Sequence, residues 1–68
     1  MAIKINISRI LGEKKMTMRE LSGLTGIRPT TISNLYYEVS KRIEIDQINA
    51  LCKALECQVG DIFEYVED

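Results

Sequence analysis

The chain has no histidine. That absence removes Ser–His and Cys–His catalytic pairs and histidine-ligated metals together. Cysteine is nearly as scarce, with only Cys52 and Cys57. Two thiolates cannot close a four-ligand zinc site within one chain. Their spacing is not the Cys-x-x-Cys of a thioredoxin-like redox centre, and a reducing cytosol disfavours a disulfide. Cys52 lies on the apolar stripe of its helix and Cys57 just past that helix's end, so both read as packing residues. Apolar residues never run for the roughly 18 positions a membrane crossing needs. The opening MAIKINISRI lacks the apolar run and cleavage site of a signal peptide, so the cytoplasm is the default expectation. Carboxylates are plentiful, but they fall on polar helix faces and in the acidic tail, without sign of a cleft. An enzyme is therefore not expected, nor a cofactor or small-molecule ligand.

What is present suits one small domain spanning residues 1–68. Of the 68 residues 46% are hydrophobic, enough for one core and an oligomer contact, although a domain this small is marginal alone. The net charge of −1 would argue against nucleic acid if it were evenly spread. Residues 1–42 hold eight Lys/Arg against three Asp/Glu, whereas residues 43–68 hold one Lys against seven Asp/Glu. Such a dipolar chain can turn its basic end to phosphates, unless the asymmetry is an accident of composition.

Ile3, Ile5 and Ile7 alternate with polar residues, which predicts a short strand. Ile43 and Ile45 flank Glu44 in the same way. The two stretches are expected to pair, because a lone strand leaves its backbone unpaired; the alternative is a frayed tail. A first helix is expected from Ile7 to Lys14, with Asn6 as cap and Ile7, Ile10 and Leu11 inward. Thr17-Met18-Arg19-Glu20 is a capping box opening a second helix, which Gly26 ends. Leu21 and Leu24 are expected to face inward from it. Pro29 suits the first turn of a third helix, 29–37. Arg28 before it cannot accept an amide hydrogen bond, which forgoes roughly 0.5–2 kcal/mol of capping. Its guanidinium can instead reach a guanine edge or a phosphate, or stay solvated. Asp46 is expected to cap a helix from Gln47 to Leu55, with Ile48, Leu51, Cys52 and Leu55 inward. A final helix is expected over Val59–Val66, presenting Ile62, Phe63 and Val66.

The chain is organised around Met18–Tyr37. Ile32 and Leu35 give the third helix an apolar side. Thr30, Thr31, Ser33 and Asn34 give it another side of short hydrogen-bonding groups. A helix held by a neighbour and showing such a face suits the major groove of double-stranded DNA. Leu21, Gly26, Ile27, Ile32 and Leu35, followed by DQINALCKALECQVGDIFEYV, resemble the lambda-repressor-like (Cro-like, or XRE) helix-turn-helix family over roughly Asn6 to Val66. The sequence departs from that pattern at Ser22, usually Ala; at Arg28, usually Ser or Thr; and at Glu38, often Gly.

The resemblance implies an all-α, compact five-helix fold, with the possible small sheet joining the N-terminus to residues 42–45. It also implies site residues. Arg28, Thr30, Thr31 and Asn34 would face bases: Arg28 pairs with guanine, Asn34 with adenine, and the threonines offer hydroxyl or methyl groups. Ser33 would turn toward backbone or solvent. Arg19, Tyr37, Lys41 and Arg42 would contact phosphates, although Tyr37 suits a structural role equally well. Tyr36 is expected to pack on the following loop. Useful specificity from so small a module needs two half-sites, hence a homodimer. Phe63, Tyr65 and Val66 could form its surface, or could simply close the monomer core. The competing reading is a protein-interaction module of the same fold with weak or no DNA binding.

Overall fold

The computed structural model describes residues 2–67. Met1 and Asp68, the ends of the expected 1–68 domain, lie outside the described residues. In chain order come β1 (Ala2–Ile5), α1 (Ile7–Lys14), α2 (Met18–Thr25), α3 (Pro29–Tyr36), α4 (Ile45–Leu55), α5 (Val59–Ile62) and β2 (Phe63–Val66). The five expected helices are present, and a two-stranded antiparallel sheet accompanies them. No helix among the described residues is long and apolar enough to cross a membrane.

One core joins every helix. Ile7, Ile10 and Leu11 enter it from α1, Leu21 from α2, Ile32 and Leu35 from α3, Leu51 and Leu55 from α4, and Ile62 from α5. Their three- and four-residue spacings put each set on one helix side. Each fully buried side chain contributes roughly 1.5–3 kcal/mol. Leu24 does not join them and is 63% exposed. The inward side of α2 is Met18, Leu21, Ser22 and Thr25, none of them exposed. At about 100° per residue, Leu24 lies roughly 110° from the middle of that stripe.

The sheet differs from the expected pairing. β1 pairs not with residues 42–45 but with β2, in the register Ala2↔Val66, Ile3↔Tyr65, Lys4↔Glu64 and Ile5↔Phe63. The expected helix 59–66 stops at Ile62, because Phe63 is extended at φ −116°, ψ 133°. Phe-Glu-Tyr-Val alternates as well as β1 does, and its aromatic and β-branched residues favour a pleated surface. Ile45 instead opens α4 and is 78% exposed. Its helix starts earlier than expected because Glu44, not Asp46, is the cap. Glu44 and Gln47 form a capping box, with the Glu44 N–H donating to Gln47 Oε1 at 3.0 Å.

Asn6 makes no side-chain cap to α1. It is buried, and its Nδ2 donates to the Asp61 carbonyl and to Glu64 Oε1, both at 3.4 Å, while its N–H donates to the Ile62 carbonyl at 2.7 Å. The residue expected to start a helix therefore fastens the N-terminus to the C-terminus. Cys52 and Cys57 are free and half-buried. The Cys57 N–H closes the end of α4 on the Cys52 carbonyl at 3.1 Å, which brings the two residues together where a helix end usually places an apolar contact.

Candidate nucleic-acid interface

The helix pair at the centre of the chain is locked locally before it is packed. Thr17 Oγ1 accepts from the Glu20 N–H at 3.1 Å, and Glu20 Oε1 accepts from the Thr17 N–H at 3.2 Å. Gly26 ends α2 at φ 74°, a conformation that suits glycine because there is no Cβ to crowd. Side chains of α2 satisfy the turn. Ser22 Oγ donates to the Ile27 carbonyl at 2.5 Å, and Thr25 Oγ1 accepts from the Ile27 N–H at 3.2 Å. The hydroxyl that Ser22 carries in place of the family's usual alanine thus holds the turn closed.

Arg28 precedes α3 without a side-chain capping bond, and Pro29 occupies the first turn. The other end is held by Glu38. It sits in the left-handed region at φ 59°, where glycine is easier, and its Oε1 accepts from the Ile5 N–H at 2.9 Å. That bond ties the exit of α3 to β1. α3 is therefore anchored by the turn in front, by β1 behind, and by α1 and α2, which pack against it.

Ile32 and Leu35 turn fully inward, while Thr30, Asn34 and Tyr37 are exposed. At about 100° per residue, positions 30, 34 and 37 fall on one stripe opposite the buried pair. Thr31 lies at the flank and is half-buried, as is Ser33. Thr31 and Asn34 line an open depression with Lys41, Arg42 and Gln47. Thr31 and Gln47 also line a second depression with Arg28. Five of the eight expected site residues thus surround two adjoining hollows between α3 and the start of α4. Thr30 and Tyr37 stand on the outer stripe, and Arg19 is exposed at the start of α2. The Tyr36 and Tyr37 rings meet edge to face, 5.0 Å apart at 74°. Tyr36 packs against the core, and Tyr37 is 63% exposed. The connection carrying Lys41 and Arg42 is shaped by Ser40 Oγ, which donates to the Arg42 carbonyl at 2.9 Å.

Gln47 is the residue that sequence reading left out. Its Oε1 accepts from the Glu44 N–H at the α4 cap, which leaves its NH₂ free to donate. The Glu44-x-x-Gln47 spacing is a legible capping box, hidden because glutamate is not among the usual cap residues. Glu44 and Asp46 also line these hollows, so the positive rim is concentrated on Arg28, Lys41 and Arg42.

Residues 6–68 match the Cro/C1-type HTH DNA-binding domain family. Over 68 residues the chain is 47% identical to the HTH-type transcriptional regulator YozG of Bacillus subtilis (strain 168), a match that covers 100% of this chain and 81% of that protein.

Proposed function

The chain belongs to the Cro/C1-type HTH DNA-binding domain family, and from that footing we propose that it is a sequence-specific DNA-binding transcriptional regulator that reads the major groove with α3. The observation that carries this is the two-sidedness of α3: Ile32 and Leu35 are sealed in the core while Thr30 and Asn34 stand in solvent. A rigid helix with short polar groups outward can approach base edges closely.

Asn34 and Thr30 read bases from the outward stripe, and Arg28 and Thr31 read from its flank. Arg19, Tyr37, Lys41 and Arg42 hold phosphates, joined by the Gln47 NH₂. The protein works in the cytoplasm as a homodimer, which places two α3 helices about 34 Å apart on one face of the duplex.

The test is selection of bound sequences from a random duplex pool, followed by binding across ionic strengths. An enriched site is expected, with affinity falling linearly on a log–log salt plot. Arg28→Ala and Asn34→Ala should each weaken the selected site by roughly 1–3 kcal/mol and relax it at one position. Lys41→Ala should weaken all sequences alike and lower the salt slope. A pool that yields neither enrichment nor salt-sensitive affinity would leave the interaction-module reading in its place.

A further inference from the structure

The end of α4 is closed by two backbone bonds to one carbonyl. Glu56 turns left-handed at φ 53°, and its N–H donates to the Cys52 carbonyl. The Cys57 N–H donates to the same carbonyl at 3.1 Å. In a helix terminator of this kind, the residue after the left-handed one commonly rests its side chain on the residue whose carbonyl it takes. Here those two residues are Cys57 and Cys52. The helix end thus sets two thiols beside each other, and Cys52 is near enough to act on the Cys57 thiol. Both are free and half-buried.

The two cysteines share one open hollow, with Ile45, Ile48 and Val59 as apolar walls and Lys53 on the rim. None of the residues assigned to DNA lines it. Among the described residues no third cysteine, histidine, aspartate or glutamate joins them in a metal-binding group. Asp61 also acts on Cys57, but its Oδ2 is taken by the Gln58 N–H at 2.9 Å. Structural zinc and iron–sulfur clusters take four ligands, which this pair does not supply. Thiolates select soft ions, and a soft monovalent ion such as Cu(I) is satisfied by two of them.

We propose that Cys52 and Cys57 form a two-thiolate site for Cu(I) at the end of α4, reached through this hollow. Each sulfur binds as its thiol releases a proton to the buffer, so two protons leave for each ion bound. Copper keeps its oxidation state, and no electron is transferred. The resulting S–Cu–S unit carries one net negative charge. Lys53 on the rim, and Lys14 acting on Cys57 from α1, offset that charge. The left-handed turn at Glu56 fixes the two cysteines relative to each other before the ion arrives. The site stands independently of how the chain reads DNA.

The experiment offers Cu(I), as its bicinchoninate complex, to the reduced full chain in the absence of oxygen. The chain should withdraw one Cu(I) per copy and bleach the dye, while a sulfur-to-copper band rises in the near ultraviolet. Cys52→Ser and Cys57→Ser should each weaken binding by about a hundredfold or more, with circular dichroism reading the fold. X-ray absorption on the loaded wild-type chain needs no variant, and should count two sulfurs around each copper. Zn(II) in place of Cu(I), against a zinc-binding dye, should be held far more weakly. A chain that leaves the copper dye loaded overturns the site, as does a folded serine variant that binds like wild type. Zinc held as tightly as copper overturns the two-ligand assignment. Three or more sulfurs, or one copper for every two chains, would place the ion between copies and overturn the single-chain site.

Discussion

Replacing Glu38 isolates the bond that ties the exit of α3 to β1. Two opposing effects meet at this residue. Its left-handed backbone, φ 59°, costs a residue with a Cβ roughly 1–2 kcal/mol. Its carboxylate accepts the Ile5 N–H at 2.9 Å, and a bond to a charged group contributes about 1.5–3 kcal/mol. The Glu38 side chain is exposed, which favours the lower half of that range. Glu38→Ala loses the bond and keeps the strain, so it should destabilise by about 1.5–2 kcal/mol. Glu38→Gly loses the bond but relieves the strain, and should cost less than about 1 kcal/mol. Glu38→Gln keeps an acceptor without charge and should fall between wild type and alanine, since a neutral bond is about half as strong. Urea denaturation followed by far-ultraviolet circular dichroism reads the midpoints. In a domain of this size 1 kcal/mol also moves the melting temperature by about 4–8 °C. Alanine as stable as wild type would show that the tie to β1 contributes nothing. Glycine as damaging as alanine would show that the left-handed turn carries no strain.

Three further outcomes follow from the structure. Leu21→Ala should cost about 2–5 kcal/mol because it opens a cavity in the core, whereas Leu24→Ser should stay within about 0.5 kcal/mol; equal losses in a denaturant series would contradict the inward stripe described for α2. Gln47→Ala should destabilise by about 0.5–1.5 kcal/mol by removing the acceptor of the Glu44 N–H at the start of α4, with Asp46→Ala milder, and a reversed order would return the cap to Asp46. The Cys57 thiol is pushed above its ordinary value by burial first, then by Cys52 and Asp61, with Lys14 opposing. A thiol whose folded value is raised contributes stability below the ordinary thiol range, and that stability is lost as pH rises through the folded value. Iodoacetamide labelling of Cys57 should therefore set in at higher pH in the folded chain than in urea, and Cys52→Ser should narrow the gap; coincident profiles would remove the burial argument.

The one-dimensional pattern determined what short-range chemistry can settle. Thr17 and Glu20 cap each other three residues apart, Gly26 alone among neighbours turns left-handed without a Cβ, and Ile32 and Leu35 repeat at helical spacing. Those features place α2, its turn and α3 before any contact is known, and with them the outward position of Thr30 and Asn34. Tertiary structure decided everything that depends on which of several equivalent partners wins. Ile3 and Ile5 announce a strand, but both Ile43–Ile45 and Phe63–Val66 could pair with it. Glu44 draws the first candidate into α4, while the short α5 delivers the second. Asn6 could cap a helix, yet it is buried beside Ile62, where the Asp61 carbonyl and Glu64 Oε1 accept from its amide. Leu24 carries an apolar side chain, but α2 has room for one inward stripe, and the neighbouring helices choose which. Gln47 enters the hollow beside Asn34 only because α4 starts where it does. Helix caps and turns are written in bonds spanning a few residues; partners across the fold are set by competition for burial and backbone bonds, which no local spacing contains.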